Sequence, residues 1–265
     1  MITLPAHDGT EIRALDEGQG PVVLVLHPGL DDGSMWAPVA ARLAPKFRVV
    51  RLHRRQYRLD IAPAASIAQE VEDVLALVRH VGSPVLLVGH SSGGVVALEA
   101  LVADPTAFAG AVIYEAPIVI GPLLGGEAYV RARAAIDAGR PGAAMRIFLA
   151  DVVRVPRWLA VVAGFFIGVI PRLRALAPRQ VDDLGAIDQL GLRLDAYAAV
   201  HVPTVLLGGD RSPPHLAERL DALARVMPNA QRLVLAGLGH DAQRRAPDEV
   251  VRVIMGLAGR TMGRG

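Results

Sequence analysis

The chain has no cysteine among its 265 residues. That absence excludes disulfide bonds, thiolate metal ligands and a cysteine nucleophile. Aromatic residues make up only 4% of the chain and do not interleave with its cluster of arginine residues, so nucleic-acid binding has little support.

The chain also lacks a long hydrophobic run. Its most apolar stretch, residues 158–170, has thirteen residues, whereas a membrane-spanning helix needs about 20. We therefore interpret this stretch as part of a lid and expect no integral membrane segment. The N-terminus has no basic stretch followed by an apolar core, so we expect no secretory signal and predict a cytoplasmic location.

The apolar content is sufficient for one large α/β domain. Hydrophobic residues make up 52% of the chain, and the mean hydropathy is +0.37. The net charge is +2, and Lys46 is the only lysine, so the basic residues are nearly all arginine. One arginine cluster has two interpretations, a solvated loop or a patch that attracts an anionic substrate or partner. Its members are Arg51, Arg54, Arg55 and Arg58.

Strand-like and helix-like segments alternate along most of the chain. After a hairpin at 2–4 and 11–15, strands are predicted at 22–26, 48–52, 85–88, 111–114, 204–207 and 232–235. Helices are predicted near 34–43, 66–80, 93–102, 214–226 and 247–257, the second with a capping box of Ser66 and Gln69. This alternation favours a mostly parallel sheet with helices on both faces. Residues 118–195 contain helical segments and no clear strand, so we predict a core of residues 1–117 and 196–265 with a helical insertion between them.

The strongest local signal is the Gly-X-Ser-X-Gly segment from Gly89 to Gly93, between a predicted strand and a predicted helix. A serine at the apex of so sharp a turn needs neighbours without side chains, because Cβ atoms at both glycines would collide across the turn. The helix that follows directs its N-terminal amides toward the reaction centre. We interpret Ser91 as a nucleophile, the alternative being a glycine-rich turn with an incidental serine.

With this motif the chain resembles the α/β-hydrolase family over nearly its whole length. The resemblance also rests on the Leu-His-Pro-Gly segment from Leu26 to Gly29, after an early strand, and on Gly239-His240 near the end. It implies an eight-stranded, mostly parallel sheet with a helical lid inserted after the sixth strand. Epoxide hydrolases and dehalogenases of this family use an aspartate nucleophile, so Ser91 argues against both.

His240 lies in the loop where the family places its catalytic histidine. A serine hydroxyl is a poor nucleophile until a base removes its proton, and histidine suits that role. His27 resembles the family's turn histidine, which is usually structural. His90 adjoins Ser91, so we expect its imidazole to point away, although it is also a candidate for substrate contact. The other histidines are interpreted as surface or loop residues, and no spacing typical of metal ligands joins them, so neither a metal nor a cofactor is expected. They are His7, His53, His80, His201 and His215.

Two carboxylates are candidates for the acid that orients His240. The family usually carries an aspartate three residues after the glycine that ends the seventh strand; Arg211 holds that position here, and Asp210 is one residue early. Glu115 ends the sixth predicted strand, where some branches, including haloalkane dehalogenases, place their acid. A carboxylate in so apolar a run needs a partner, which His240 would supply. The balance slightly favours Glu115 over Asp210.

An oxyanion hole and a substrate wall are expected beside the serine. Gly29 and Ser92 are the expected amide donors, because Pro28 has no N–H. Leu30 is the alternative donor and a candidate for substrate contact. An apolar wall around the substrate is expected from aromatic residues of the lid, some of which would also pack within it. These are Trp158, Phe165 and Phe166.

Three functions are compatible with these residues. The first is hydrolysis of a small to medium, fairly apolar ester, thioester or lactone through an acyl-serine intermediate. The second is another chemistry on the same fold, such as a cofactor-free haloperoxidase, a lyase or a cyclase. The third is a binding protein without catalysis, which the intact serine, histidine and acid disfavour. A small molecule is the expected partner, and a homodimer is left open.

Overall fold

The computed structural model describes residues 1–82 and 84–263. Six strands come from the first part of the chain: β1 (Ile2–Pro5), β2 (Glu11–Glu17), β3 (Val22–Leu26), β4 (Arg48–His53), β5 (Val85–His90) and β6 (Phe108–Tyr114). Three α-helices alternate with them: α1 (Ala37–Leu43), α2 (Ile67–Val81) and α3 (Ser92–Ala103). Short 3₁₀ segments lie at Ser34–Trp36, Arg55–Tyr57 and Pro105–Ala107.

Helices without a strand follow β6, as the sequence predicts. They are α4 (Gly126–Asp137), α5 (Pro141–Ile147), a π-helical turn (Phe148–Val152), α6 (Arg157–Val169), α7 (Pro171–Leu190) and α8 (Leu194–Ala198). The chain ends with β7 (Thr204–Gly209), α9 (Pro214–Val226), β8 (Ala230–Leu235), α10 (Ala242–Arg245) and α11 (Pro247–Thr261). The division into a core and a lid at residues 117/118 and 195/196 stays a prediction.

All eight strands form one sheet in the order β1-β2-β4-β3-β5-β6-β7-β8. Only β1 with β2 and β2 with β4 pair antiparallel; the other pairs are parallel. The predicted mostly parallel, eight-stranded sheet is therefore confirmed. Since β3, β5, β6 and β7 are parallel neighbours, the residues that follow them meet at one edge of the sheet.

The sheet is covered on both faces, which explains the continuous apolar runs of its central strands. Along β5, Val85 and Leu87 pack into one buried cluster, whereas Leu86 and Val88 pack into the other. Helices α2, α3 and α9 cover the first face, and α1 and α11 cover the second. Ser66 caps α2 as predicted by accepting from the Gln69 N–H at 3.3 Å, but the Gln69 side chain accepts from Ala65 instead of closing the box.

The arginine cluster is buried, so both interpretations of it from sequence are wrong. Each of the four side chains, Arg51, Arg54, Arg55 and Arg58, is at most 6% exposed. Arg54 pairs with Glu70 at 2.6 Å and Arg55 with Asp73 at 2.8 Å. Apart from Asp60, two residues after Arg58, the partner carboxylates lie far away in the sequence, on α2, α7 and β2 and in the first loop. A local sequence pattern therefore could not separate these pairs from a solvated basic face.

No single helix in the described parts of the chain has the length and apolarity to cross a membrane; α6 and α7 meet those criteria only as a pair, bent by 113°.

Candidate active site

Ser91 lies at the corner between β5 and α3 with φ of 54° and ψ of −126°, a backbone conformation that side chains rarely adopt. Its own N–H donates to the Tyr114 carbonyl at 2.8 Å, which ties the corner to β6. A Cβ at Gly89 would lie 2.5 Å from the Ala97 Cβ, and one at Gly93 would lie 2.4 Å from the His27 carbonyl oxygen. The predicted need for glycine on both sides of the serine is confirmed.

His240 lies in the loop after β8 and contacts the carboxylate of Glu115, the residue that directly follows β6. Its Nδ1 lies 2.5 Å from Oε2 of Glu115, while the second oxygen of that carboxylate accepts from the Gly209 N–H at 2.8 Å. Glu115 is 1% exposed and has φ of 48°. Burial opposes its charged form, but the hydrogen bond and charge of His240, with the Gly209 amide, bring the pKa of Glu115 below its ordinary value.

Asp210, the other candidate acid, has a different partner. Its Oδ1 accepts from the Gly237 N–H at 2.7 Å, within the loop that carries His240. The side chain of Asp210 is exposed, whereas that of Glu115 is buried. The structure thus pairs His240 with Glu115, and Asp210 braces the histidine loop through its backbone.

Ser91 and His240 line the same cavity, which has a volume of about 520 Å³. Neither side chain makes a hydrogen bond to the other within the described part of the chain. Nucleophile–base hydrogen bonds are often long in enzymes without substrate and tighten once it binds. The side chain of His240 is 35% exposed, and its Nδ1 is held by Glu115, so its other nitrogen is available to the cavity.

The two expected oxyanion donors have different surroundings, and of the two only Ser92 is among the residues that line the cavity. Ser92 lines the cavity and is the first residue of α3, where an N–H has no acceptor within the helix. Its hydroxyl accepts from the buried guanidinium of Arg54 at 2.8 Å. Gly29 follows β3, and a Cβ there would lie only 1.9 Å from Oε1 of Gln180. A side chain at position 29 would therefore require the Gln180 amide to move.

A buried polar network connects Ser92 to helix α7. Arg54 binds Glu70 through two contacts, of 3.0 and 2.6 Å, and lies 3.3 Å from Asp183 of α7. The Tyr57 hydroxyl donates to Asp183 at 2.6 Å and lies 3.1 Å from the Gln180 amide. Two carboxylates therefore share one guanidinium away from solvent, and burial raises the pKa of Glu70. Sequence analysis did not detect this network.

His90 packs behind the catalytic histidine candidate. It is 1% exposed, stacks on Tyr114 with ring centroids 4.4 Å apart, and lies 4.6 Å from the His240 ring. Burial and the charge of His240 hold the pKa of His90 well below its ordinary value. As expected, the ring points away from the cavity, so contact between His90 and a substrate does not agree with this arrangement.

The other candidates for substrate contact also lie outside the cavity lining. Leu30 has φ of 56° and packs on the apolar cluster that contains Met145 and Ile167. In α6 the small residues turn inward, and a Cβ at Gly164 would lie 2.8 Å from the Gly142 carbonyl of α5. The aromatic side chains of α6 point outward as a result, which corrects the prediction of a substrate wall. Their exposures are 69% for Trp158, 65% for Phe165 and 52% for Phe166.

The cavity is lined instead by residues that no local motif marks. Apolar side chains come from the loop after β6, the π-helical turn and helix α7; polar ones include Gln180 and His215. His215 is 4% exposed and faces the cavity, so its interpretation as a surface or loop residue is wrong. His27 is structural as expected: it is fully buried, and its Nε2 accepts from the Arg54 N–H at 3.0 Å.

Comparisons with known proteins agree with this architecture. The model of the alpha/beta hydrolase family matches residues 22–253. The chain is 24% identical over 259 residues to 2-(acetamidomethylene)succinate hydrolase of Mesorhizobium japonicum, covering 92% of this chain and 90% of that protein. It is 24% identical over 228 residues to pimeloyl-[acyl-carrier protein] methyl ester esterase of Xanthomonas campestris pv. campestris, covering 84% and 89%.

Among solved structures, an alpha/beta hydrolase from Sphaerobacter thermophilus is similar, with a TM-score of 0.84 and 27% identity. The alignment covers 97% of this chain and 99% of that one. Because the family model spans residues 22–253, most of the chain, the chain belongs to the alpha/beta hydrolase family.

Proposed function

We propose that the protein is a serine hydrolase that cleaves a carboxylic ester, thioester or lactone through an acyl-serine intermediate. Ser91 is the nucleophile, His240 the general base and Glu115 the acid that orients the histidine. The observation that carries this proposal is that the strained Ser91 corner faces the same cavity as an imidazole whose far nitrogen is bound to a buried carboxylate.

In the proposed reaction Nε2 of His240 takes the proton from the Ser91 hydroxyl as the oxygen attacks the substrate carbonyl. Glu115 holds the proton on Nδ1, which keeps Nε2 free to act as a base and stabilises the imidazolium that forms. His240 then protonates the leaving group, and the acyl-serine is released by a water molecule that the same imidazole activates. Asp210 has no direct part in these steps, because its carboxylate holds the Gly237 amide.

The oxyanion of the tetrahedral intermediate would be bound by the amides of Ser92 and Gly29. A donor of this kind is worth about 3 kcal/mol in the transition state when it is fixed in advance. Arg54 fixes the Ser92 side chain, and the packing of Gly29 against Gln180 restricts the loop after β3. These contacts support a rigid oxyanion hole.

The substrate is a small molecule, since the cavity of about 520 Å³ has the size typical of small-molecule sites. Hydrolysis is also supported by the two curated relatives, one named a hydrolase and the other a methyl ester esterase. A homodimer stays a prediction, which light scattering of the purified protein would test.

The nucleophile can be tested with a fluorophosphonate probe, which labels activated serines covalently. We expect stoichiometric labelling of the wild-type protein at one site and none in Ser91→Ala. Ser34→Ala is the control, because Ser34 is exposed and lies outside the cavity lining. The same proteins are assayed with short-chain 4-nitrophenyl esters.

A folded protein that neither reacts with the probe nor cleaves any of these esters would contradict the proposal. It would favour a different chemistry on this fold or a binding role. Labelling that persists in Ser91→Ala would also contradict it, because another serine would then be the nucleophile.

A further inference from the structure

Basic groups from two separate parts of the chain lie in or beside one wall of the cavity. Arg211 and His215, from the loop after β7 and the first turn of α9, line the cavity. Arg219 lies one turn further along α9 and donates to the His215 carbonyl at 2.7 Å. Arg154, between the π-helical turn and α6, is close enough for its charge to lower the pKa of both His215 and Arg219. We call these four residues the basic wall.

Two members of the basic wall are buried with polar atoms left unpaired. His215 is 4% exposed and Arg219 is 7% exposed. Nδ1 of His215 and Nε of Arg219 are inaccessible to solvent and have no hydrogen-bond partner among the described residues. A buried polar atom without a partner costs about 1–3 kcal/mol, and more when the group is charged. The protein tolerates this cost at His215, which lines the cavity, and at Arg219, one turn further along α9.

The charge of the wall is not balanced by nearby carboxylates. Within residues 1–82 and 84–263, Arg154, Arg211 and Arg219 form no ion pair.

The carboxylates in the vicinity have other roles. Asp241 lines the cavity but is paired with Arg245 at 2.5 Å. Asp210 accepts from the Gly237 amide, and Glu218 acts on Arg219 only through a weaker charge interaction. The charges of Arg154 and Arg219 therefore lie close together without a paired carboxylate.

The backbone at Arg154 is strained as well. Its φ is 63°, which is unusual for a residue with a side chain, and its neighbours Val153 and Val155 both line the cavity. Such conformations persist only where the surrounding structure imposes them, and they cluster at binding sites. The strained backbone places Arg154 beside the cavity, between two apolar residues that line the cavity.

We propose that the basic wall binds a carboxylate group carried by the substrate, at a distance from the bond that Ser91 attacks. Guanidinium groups bind carboxylates through charge-assisted hydrogen bonds, and a neutral imidazole can donate one more. Apolar side chains occupy much of the remaining lining, among them Phe148, Val152, Leu159, Leu184 and Ile187. The substrate class is thus an ester of an ω-carboxy acyl chain, with hydrocarbon between the carboxylate and the scissile carbonyl. This inference rests on the proposed hydrolase function.

The test compares two series of esters that differ only in that carboxylate. Mono-4-nitrophenyl esters of glutarate, adipate and suberate are assayed beside the same compounds with the free carboxylate masked as a methyl ester. Release of nitrophenolate gives kcat/KM for each. At the chain length that spans the cavity we expect the free acid to be preferred about tenfold, the ratio that one good charged contact provides.

Variants assign that preference to the basic wall. Arg211→Gln and Arg154→Gln should each lower the ratio of free-acid to masked-ester kcat/KM about threefold, mainly through KM. Arg225→Gln, on the outer side of α9 and absent from the cavity lining, removes the same charge and should leave the ratio unchanged. A wild-type ratio of one or less at every chain length, or a ratio that survives both wall substitutions, would overturn the proposal.

A binding measurement separates this inference from the proposed hydrolysis. Monomethyl adipate and dimethyl adipate are titrated calorimetrically into Ser91→Ala, which needs no turnover. Tighter binding of the monoanion, lost in Ser91→Ala/Arg211→Gln, supports the basic wall even if no ester is cleaved. Equal binding of the two compounds refutes the wall even where Ser91 is labelled and esters are turned over.

Discussion

Replacing Glu115 with glutamine changes the tautomer of His240 without changing the shape of the site. In the structure one carboxylate oxygen accepts from the Gly209 N–H at 2.8 Å and the other faces Nδ1 of His240 at 2.5 Å. The glutamine carbonyl can keep the first contact. Its NH₂ group must then face Nδ1, which has to accept, so the ring proton moves to Nε2. An imidazole protonated at Nε2 cannot take the proton of Ser91.

We expect Glu115→Gln to lower kcat about 10⁴-fold, which corresponds to about 5 kcal/mol of transition-state stabilisation. The contribution is large because Glu115 is 1% exposed, so water cannot replace it. In Asp210→Asn the side-chain oxygen can still accept from the Gly237 amide at 2.7 Å, and we expect kcat within about threefold of wild type.

Both variants are assayed with a 4-nitrophenyl ester under single-turnover and steady-state conditions, with thermal unfolding as a check on folding. The comparison is sharp because the two substitutions each remove one negative charge near the same loop. If Asp210→Asn loses turnover and Glu115→Gln keeps it, the assignment of the orienting acid is wrong. If neither loses it, the pairing of His240 with Glu115 has no catalytic role.

Three further predictions concern stability. Arg54→Met leaves Glu70 and Asp183 buried without their cation and should cost about 3–5 kcal/mol in urea unfolding. Arg42→Met breaks an exposed ion pair with Asp248 and should lower the free energy of unfolding by less than about 1 kcal/mol. Equal losses of stability in Arg54→Met and Arg42→Met would contradict this account. Gly93→Ala forces a Cβ to within 2.4 Å of the His27 carbonyl oxygen, so it should lower the free energy of unfolding by about 3 kcal/mol and abolish probe labelling. Gly256→Ala is the control: a Cβ there meets open space in α11, so this variant should be neutral or stabilising. For His215, burial and the charges of Arg219 and Arg154 lower the pKa to about 4, from an ordinary value of 6.5. The unfolded chain then binds a proton that the folded one excludes, so this contribution to stability is complete above pH 6.5 and is lost between pH 6.5 and pH 4, by up to about 1.4 kcal/mol per pH unit. His215→Gln should flatten the pH dependence of unfolding in that window, and an unchanged slope would refute the lowered pKa.

Local sequence patterns were sufficient to predict the sheet and the serine corner. A strand such as β5 is apolar at every position because both its faces are covered, and that requirement is visible in the run itself. The glycines around Ser91 are equally local, since the collisions that exclude a side chain involve the turn, the helix it starts and the adjacent strand end. The resemblance to the family also restricted the acid to two carboxylates, Glu115 and Asp210, which follow two of the parallel strands.

Tertiary structure paired His240 with one of those two carboxylates, Glu115, and assembled the cavity. Asp210 stands nearer the position that the family pattern favours, but the backbone at Glu115, with a positive φ, places its carboxylate against His240. The aromatic side chains of α6 face outward, because the close contact of α6 with α5 uses the small residues of α6.

The sequence by itself determined the succession of strands and helices along the chain and the candidate for the nucleophile, since each depends on residues within one turn or one strand. Only the tertiary structure brought Arg54 onto Ser92, Gln180 onto Gly29 and His215 into the cavity wall. Those contacts join residues 38 to about 150 positions apart in the chain, of which the Arg54–Ser92 bond is the shortest. The residue type at a single position does not show whether the fold places a distant partner beside it, so a buried arginine and a solvated one look the same in the sequence.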